Sequence, residues 1–466
     1  MDSSIEKEGY VLTVSNEGIT IKSSDENGAF YGAVTLHIMI MQSKTGNGEA
    51  IINGTYIHDY PKYGFRSGML DSSRHFFEVD AIKRLLDSFA LLKLNKFHWH
   101  LSDDQGFRIE SEEFPKLNEI GSKRKYEYLG GIKNLNLPEL KMGGDEYFHY
   151  YKKSEIRDIV EYAKNLCIDI IPEIDIPGHT MAFVASYKEY SCLKGDYEVF
   201  CSNGITQDIL CAGQEETYDF LEKLLKEVCE LFPYEYFHIG GDEAADGHKI
   251  WEKKCPKCQE AIKQNGLKNG AELQVYFTNR INKILNSLGK KCIQWNDGIG
   301  ENTDDAIACQ YWIGRSPLWV RRESEKRPFV VSPDSHMYFD INYARTPLKK
   351  TYSYTPAKSG VVDEKNVLGL EFETWTEWIT DEKAMQFAVY PRIFAVSELC
   401  WTMDDKRNYK DFYKRLDFFK KYMQAKDINY SRVEKKKLGL VNHSIYHLGK
   451  FGTEYKYNEK LKQKEN

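Results

Sequence analysis

The chain has 466 residues, of which 41% are hydrophobic and 14% are aromatic, and its formal net charge at pH 7 is -6. This length and composition allow one large buried core with a small satellite domain, as in an ordinary globular protein. Acidic and basic residues are spread along the whole chain, without the basic stripe that nucleic acid requires, and no apolar run reaches the roughly 20 residues of a membrane span. We therefore expect neither nucleic acid nor a membrane span.

The first residues, MDSSIEKEGY, contain no apolar core of the kind that a secretory signal has. As it stands, the sequence predicts a cytoplasmic protein; a protein from which a signal had been trimmed would instead be secreted. The sequence leaves open whether the chain forms a homodimer.

The ten cysteines are irregularly spaced, and we interpret them mostly as reduced thiols. Cys255 and Cys258 have the spacing of metal ligands, but no second Cys or His pair follows them at a zinc-ribbon distance. We interpret this pair as part of a turn from a loop into a helix. The sequence thus predicts neither a metal nor a cofactor.

The N-terminal residues predict a small α+β domain over 1–58. YVLTVSNEGITIKSSD alternates apolar and polar residues and turns at Asn16 and Gly18, which is typical of a hairpin, and GAFYGAVTLHIMIMQ follows with helical spacing. So short a domain has little core of its own, and we expect it to pack against the larger C-terminal part of the chain.

From residue 59 onward, short apolar runs alternate with longer amphipathic ones, which is typical of βα units and a parallel sheet. In DAIKRLLDSFALLK, for example, the apolar residues fall on one stripe and Asp80 is placed to cap the helix. We predict a (β/α)8 barrel over 59–424 and a polar, Lys-rich tail over 425–466. The predicted strands lie near 66–71, 96–101, 167–172, 235–239, 291–295, 306–312, 328–332 and 366–371.

Polar and aromatic side chains follow all of the predicted strands, at the end where such barrels carry their reactive groups. Aromatic rings stack on the apolar faces of sugar rings, while carboxylates and arginine bind sugar hydroxyls. The mouth of the barrel therefore predicts a sugar site. In strand order its side chains are Arg74; His100, Asp103 and Asp104; Glu173, Asp175 and His179; Asp242 and Glu243; Trp295, Asn296 and Asp297; Trp312; Tyr338 and Asp340; Trp375 and Glu377.

The neighbouring carboxylates of Asp242 and Glu243, in HIGGDE, are the leading candidates for the chemistry. Glycoside cleavage needs an acid to protonate the leaving oxygen and a second group to stabilise positive charge at the anomeric carbon. Of two interacting acids, the one that faces less water keeps its proton to higher pH. We assign that role to Glu243 and expect Asp242 to be ionised. We interpret Gly240 and Gly241 as small residues that let a sugar approach the pocket floor.

Other interpretations of these residues stay open at this point. GGDE alone is a common turn, and Trp312 or Trp375 could be a core residue. A non-catalytic sugar-binding protein could use the same mouth. So could a metal-dependent barrel hydrolase, whose ligands would be His98, His100, His179, His238 and Asp242.

HWHLSDDQGFRIE, IPEIDIPGHT, HIGGDEA and ETWTEW, in this order and each at a predicted strand end, resemble the motifs of the glycoside hydrolase family 20 enzymes, the β-N-acetylhexosaminidases. The resemblance runs from GAFYGAVTL through LDSSRHFF to YPRIFAVSELCW, and it implies a (β/α)8 barrel behind a small α+β domain. It also implies a substrate, a glycan or glycoconjugate with terminal β-linked N-acetylhexosamine. Members of this family retain configuration by using the 2-acetamido oxygen of the substrate as nucleophile, through an oxazolinium intermediate.

The resemblance implies roles for the residues nearest the reaction. Glu243 would be the general acid and then the base. Asp242 would hold the acetamido N–H, and Tyr338 would bind the acetamido oxygen. Asp103 and His179 match a buried relay that tunes Glu243, although a purely structural ion pair remains an alternative.

For the rest of the sugar, the resemblance implies an N-acetyl pocket walled by Trp295, Trp312 and Trp375, and hydroxyl contacts from Arg74, Asp340 and Glu377. The chain departs from many members in having no tryptophan between residues 341 and 374, where Tyr352 or Tyr354 could fill the wall. We expect the loop over 123–153 to shape the outer subsites.

Overall fold

The structure is a computed structural model that describes residues 1–45, 47–125, 127–128, 141–142, 146–202, 204–433 and 462. Much of the loop over 123–153 and most of the predicted tail over 425–466 therefore lie outside the described residues. Within the described residues, no helix combines the length and the apolar character needed to cross a membrane. The boundaries 1–58, 59–424 and 425–466 stay a prediction.

The N-terminal residues form a small antiparallel sheet with a helix on it. Strands β1 (Tyr10–Ser15), β2 (Gly18–Ser23) and β3 (Thr55–Asp59) pair in the order β2-β1-β3. Helix α1 (Glu26–Ser43) begins after Asp25, whose carboxylate accepts the N–H of Gly28 at 2.8 Å and so caps the helix. The predicted hairpin and helix are both confirmed.

The barrel consists of eight parallel strands that close in chain order, with the last strand paired to the first. Each strand overlaps its predicted position, so the (β/α)8 fold class is confirmed. The strands are β4 (Phe65–Asp71), β5 (Lys96–His100), β6 (Asp169–Glu173), β7 (Tyr236–His238), β8 (Lys291–Trp295), β9 (Ala308–Tyr311), β10 (Phe329–Val331) and β11 (Val367–Phe372).

The helices of the barrel and of its loops are α2 (Val79–Leu91), α3 (Lys116–Glu119), α4 (Lys153–Asn165), α5 (Met181–Ser186), α6 (Glu215–Cys229), α7 (Ala245–Lys253), α8 (Pro256–Gln264), α9 (Gly270–Ser287), α10 (Pro317–Lys326), α11 (Asp334–Met337), α12 (Leu348–Tyr352), α13 (Glu382–Val389), α14 (Arg392–Trp401) and α15 (Tyr409–Ala425). The apolar stripe of α2 is buried as predicted, but Asp80 lies inside the helix because the helix begins at Val79. The capping position is taken by Glu78, whose side chain makes no capping bond.

Short two-residue strands pair antiparallel in the loops: Ser102–Asp103 with Gly106–Phe107, Lys123–Arg124 with Tyr147–Phe148, and Glu127–Tyr128 with Lys141–Met142. The first of these pairs follows β5 directly. It carries the backbone of Asp103 across the mouth of the barrel.

Arg66, on β4, joins the N-terminal sheet to the barrel. Its side chain is 1% exposed, and its Nη1 donates to Oε2 of Glu8 at 2.8 Å. The guanidinium lies over the rings of Tyr31 and Trp401, at 5.2 and 5.3 Å from their centroids. Burial raises the pKa of Glu8, but the attraction of Arg66 outweighs it and holds that pKa below its ordinary value. A buried ion pair thus makes the expected contact between the two parts.

We expect Glu8→Gln to lower the free energy of unfolding by about 3 kcal/mol, because it leaves the buried guanidinium of Arg66 without its counter-charge. Urea unfolding at pH 7 measures this loss. Glu17→Gln is the matched control, since Glu17 is exposed between β1 and β2, and it should change stability by less than about 0.5 kcal/mol. Equal stability of the two variants would contradict the prediction.

Candidate active site

The chain turns sharply just beyond β7, at residues 240–243. Gly240, Gly241 and Glu243 have φ angles of 63°, 87° and 49°, in the left-handed region that non-glycine residues rarely adopt. Two carboxylates from neighbouring strand ends hold this turn. Asp175 Oδ1 accepts the N–H of Gly241 at 2.9 Å, and Asp297 Oδ2 accepts the N–H of Glu243 at 2.8 Å.

Our interpretation of the two glycines as space for a sugar is wrong. A Cβ on Gly240 would lie 1.9 Å from Oδ1 of Asp175. A Cβ on Gly241 would meet the side chain of Gln294 at 3.5 Å. Both glycines therefore accommodate the left-handed turn, and Gly240 also avoids a clash with Asp175.

The turn brings the side chains of Asp242 and Glu243 to the same histidine. Nε2 of His179 lies 3.7 Å from Oδ2 of Asp242 and 3.4 Å from Oε2 of Glu243. Asp242 Oδ1 is buried and has no hydrogen-bond partner within the described residues. The two predicted acids thus share one site, and one carboxylate oxygen is free to accept a hydrogen bond.

The expected order of burial for these two acids is reversed. The side chain of Asp242 is 10% exposed, whereas that of Glu243 is 42% exposed, because Glu243 lies one residue further from the strand end. Burial raises the pKa of Asp242 to about 7. The contact with His179, whose Nε2 lies 3.4 Å from Oε2 of Glu243, lowers the pKa of Glu243. The argument that gave Glu243 the proton because it faces less water is therefore wrong for this structure.

Asp103 and His179, the residues of the predicted relay, are in contact. Nδ1 of His179 lies 3.0 Å from Oδ1 of Asp103. The other oxygen of Asp103 lies 2.8 Å from Nη2 of Arg74 and 2.9 Å from Nε2 of His100. Burial lowers the pKa of His179, but attraction by Asp103 and Asp242 outweighs it and raises that pKa well above its ordinary value. His179 is therefore a cation at neutral pH, in contact with both candidate acids.

The aromatic residues predicted for the pocket lie together. The rings of Trp312 and Tyr338 are stacked, with centroids 5.8 Å apart and planes 15° apart. Trp375 is 6.3 Å from Tyr338 and 5.9 Å from Trp295. Trp312 and Trp375 are partly exposed, but Trp295 is 1% exposed and donates its N–H to Glu173. Trp295 is therefore buried beside Trp375, and its indole is held by Glu173.

Arg74 lines a small cavity together with Gln105, Ser202 and Glu377. Its Nε donates to Oε1 of Gln105 at 2.9 Å, and its Nη2 lies 4.0 Å from Oε1 of Glu377. The nearby carboxyl of Asp340 has one buried oxygen without a partner within the described residues. Burial and the repulsion of Glu377 raise the pKa of Asp340 to about 8. These groups can accept and donate hydrogen bonds to the hydroxyls of a polar ligand.

Asp297 is a residue of the site to which we assigned no role. Besides holding the turn at Glu243, it accepts the indole N–H of Trp312 at 3.0 Å. It thereby links the backbone of Glu243 to the ring of Trp312. Its position two residues after the end of β8 placed it in the predicted mouth, but no role followed from the sequence.

Tyr352 and Tyr354 do not replace the missing tryptophan. Tyr352 stacks on Phe412 with ring centroids 4.6 Å apart and donates to Glu398. The hydroxyl of Tyr354 is bonded to Ser359. Both rings therefore pack among the helices outside the strand ends.

The five predicted metal ligands do not form one cluster within the described residues. Nδ1 and Nε2 of His98 lie 2.8 and 3.1 Å from carboxylate oxygens of Glu371 and Glu173, and His238 shares Glu173. Both ring nitrogens of His100 are likewise bonded to carboxylates. These rings belong to a hydrogen-bonded network at the centre of the barrel.

Residues 63–404 match the catalytic domain of glycosyl hydrolase family 20, and residues 1–60 match domain 2 of that family. The chain belongs to this family. It is 33% identical to a β-hexosaminidase of Porphyromonas gingivalis over 91% of its own length and 55% of the relative. It is 27% identical to human β-hexosaminidase subunit beta, over 88% of its own length and 69% of the relative.

Among solved structures, the chain resembles a family 20 exo-β-N-acetylglucosaminidase of Vibrio harveyi in complex with N-acetylglucosamine. The TM-score is 0.80 at 29% identity, covering 93% of this chain and 69% of that one. Among the curated relatives, a β-hexosaminidase of Vibrio furnissii is 30% identical, and the chain spans 65% of its length. The chain is thus shorter than the first of its curated relatives, of which it covers about half.

The reversed burial of the two acids can be measured directly. In the free protein we expect the carboxyl of Asp242 to titrate near pH 7, because burial disfavours its charged form. Carbon-13 NMR of protein labelled at aspartate carboxyls would follow this titration, and the resonance absent from Asp242→Asn identifies it. Asp340→Asn identifies another aspartate carboxyl whose pKa is raised, to about 8. Titration of Asp242 near the ordinary value of about 4 would contradict the prediction.

Proposed function

We propose that the chain is a retaining exo-β-N-acetylhexosaminidase, which releases terminal N-acetylglucosamine or N-acetylgalactosamine by substrate-assisted catalysis. The main support is the unpartnered oxygen of Asp242, which is buried near Tyr338 and lies beside the more exposed carboxyl of Glu243. Curated family relatives named β-hexosaminidase, and a neighbour that holds N-acetylglucosamine, agree with this proposal.

In the proposed first step, the acetamido group of the sugar is the nucleophile. Oδ1 of Asp242 accepts the amide N–H, which makes the amide oxygen more nucleophilic, and the hydroxyl of Tyr338 donates to that oxygen to orient it. The amide oxygen bonds to the anomeric carbon as the glycosidic bond breaks. The pKa of Tyr338 lies well above its ordinary value, mainly because it is buried, so its hydroxyl keeps its proton.

Glu243 is the proposed acid and base. It gives its proton to the departing glycosidic oxygen, which leaves an oxazolinium whose positive charge the ionised Asp242 balances. Water then attacks the anomeric carbon, Glu243 takes a proton from that water, and the amide oxygen is released. Two displacements at the same carbon return the β configuration.

Binding of the sugar offers a physical reason for the protonation states to change. A hydrogen bond from the amide N–H of the sugar to Asp242 favours the charged carboxylate and lowers the pKa of Asp242 from about 7. A sugar over Glu243, which is 42% exposed, removes water from it and raises its pKa. In the proposed complex Glu243 therefore holds the proton and Asp242 the charge, the reverse of the free protein.

We expect Glu243→Gln to lower kcat/KM by about 10²-fold or more on a disaccharide with terminal β-linked N-acetylglucosamine, because its alkoxide leaving group needs a proton. On an activated aryl N-acetylglucosaminide the loss in glycosidic bond cleavage should be smaller, since that leaving group departs without one. Single-turnover kinetics on both substrates measure this difference.

Glu301→Gln is a control for this experiment, because Glu301 is an exposed acid in the loop after β8; it should behave like the parent protein. Near-normal rates for Glu243→Gln on the disaccharide would reject the assignment. Complete inertness of the parent protein on both substrates would reject the proposed hydrolase activity in favour of sugar binding alone.

A further inference from the structure

Four cysteines meet beside the barrel, outside the candidate active site. Cys192 and Cys211 belong to the segment that follows β6, and Cys255 and Cys258 lie at the start of α8. Their sulfur atoms all lie within 4.8 Å of one another. Three of the four are buried and Cys192 is partly buried. Cys192 and Cys211 therefore provide a second pair beside Cys255 and Cys258, but this pair precedes Cys255 in the chain.

The distances between these sulfur atoms fit a single tetrahedral metal ion. Sγ of Cys211 lies 3.6 Å from Sγ of both Cys255 and Cys258, and Sγ of Cys192 lies 3.7 Å from that of Cys258. Sulfurs joined by a disulfide are about 2.05 Å apart, so these pairs are not bonded. Four sulfurs at about 2.3 Å from one zinc ion would be about 3.8 Å apart. A cluster of several irons spreads its sulfur ligands wider, because the ligands are divided among different irons.

Two of the four cysteines lie at the start of a helix. Cys255 is the capping residue of α8 and Cys258 lies in its first turn, where the partial positive charge of the helix stabilises anions. The backbone after Cys211 also runs against this turn, because a Cβ on Gly213 would lie 2.4 Å from the backbone nitrogen of Cys258. Lys257 reaches across and donates to Gln214 at 3.0 Å. Two separate segments are thus built closely around the four sulfurs.

We propose that Cys192, Cys211, Cys255 and Cys258 bind one zinc ion in a closed structural site. Four thiolates complete the tetrahedral coordination of zinc, so no position is left for a water or a substrate. The zinc therefore takes no part in the proposed hydrolysis. It joins the segment after β6 to the helices after β7.

The zinc site can support the candidate active site from outside. Beside it, the indole N–H of Trp251, on α7, donates to the carbonyl oxygen of Leu210 at 3.0 Å. Further along the same segment, the N–H of Thr206 donates to Asp104 at 2.8 Å, and the carbonyl of Ser202 accepts from Gln105 at 3.0 Å. Asp104 is the sequence neighbour of Asp103, and Gln105 accepts a hydrogen bond from Arg74. Zinc therefore fixes a segment against which one side of the cavity is built.

The first experiment measures metal in the native chain. Protein purified without added metal and passed through EDTA should contain about one zinc per chain by plasma mass spectrometry, because a closed tetrathiolate site exchanges its ion slowly. A mercurial reagent that titrates the thiols should release this zinc. Zinc-free protein with four reactive thiols, two disulfides among these cysteines, or iron in place of zinc would each overturn the proposal.

The second experiment assigns the ligands. Cys192→Ser should lose most of the bound zinc and lower the midpoint of thermal unfolding by about 5 °C or more, whereas Cys192→His, which keeps a zinc ligand, should retain zinc. Cys229→Ser is the control, because Cys229 is also partly buried but lies outside the cluster, and it should keep one zinc. Full zinc content in Cys192→Ser would overturn the assignment.

If the serine variant folds poorly, native protein produced in cobalt medium provides an independent measurement. Four thiolates around cobalt give a tetrahedral ligand-field spectrum and an intense sulfur-to-cobalt charge-transfer band. We expect both, at about one cobalt per chain. Their absence from folded protein would contradict the proposal, and it would do so whatever the outcome of the hydrolysis experiments.

Discussion

The candidate site depends on one turn, the left-handed backbone between β7 and α7. On each side a carboxylate accepts a hydrogen bond from a backbone N–H of this turn. These carboxylates belong to Asp175 after β6 and Asp297 after β8. Without the turn, adjacent residues would point in opposite directions, as they do in a strand. With it, the side chains of Asp242 and Glu243 both reach His179. Three neighbouring strands of the barrel therefore cooperate to bring two like charges into one pocket.

The cost of placing these charges together is offset by a buried chain of opposite charges. Arg74 faces Asp103, Asp103 faces His179, and the imidazolium faces both acids. Because Asp242 is buried and Glu243 is partly exposed, the protein by itself favours the proton on Asp242. In the proposed function, the sugar reverses this order of protonation. Its amide N–H binds Asp242, and the sugar shields Glu243 from water. The substrate thus completes the electrostatics of the site as well as supplying the nucleophile.

The sequence predicted the barrel because parallel strands buried on both faces are short apolar runs, and each of the eight runs overlaps a strand. It also predicted the members of the mouth, since every strand of such a barrel ends at the same face. Properties that depend on contacts between distant segments were missed. Only the folded chain shows how deeply Asp242 is buried. It also shows that Gly240 avoids a clash with Asp175 and that Cys192 lies against Cys258. The cysteine cluster was missed for a simpler reason, because its other two members precede the C-x-x-C pair in the chain.

The central claim is that the carboxylate of Asp242 binds the amide that performs the reaction. A thiazoline analogue of the proposed oxazolinium tests it, with its affinity for the parent protein and for Asp242→Asn measured by calorimetry. The account predicts that the parent binds the analogue and that Asp242→Asn binds it about tenfold more weakly or worse, as expected for loss of a charged hydrogen bond. Equal affinity of the two proteins, or no binding by a folded parent, would contradict it.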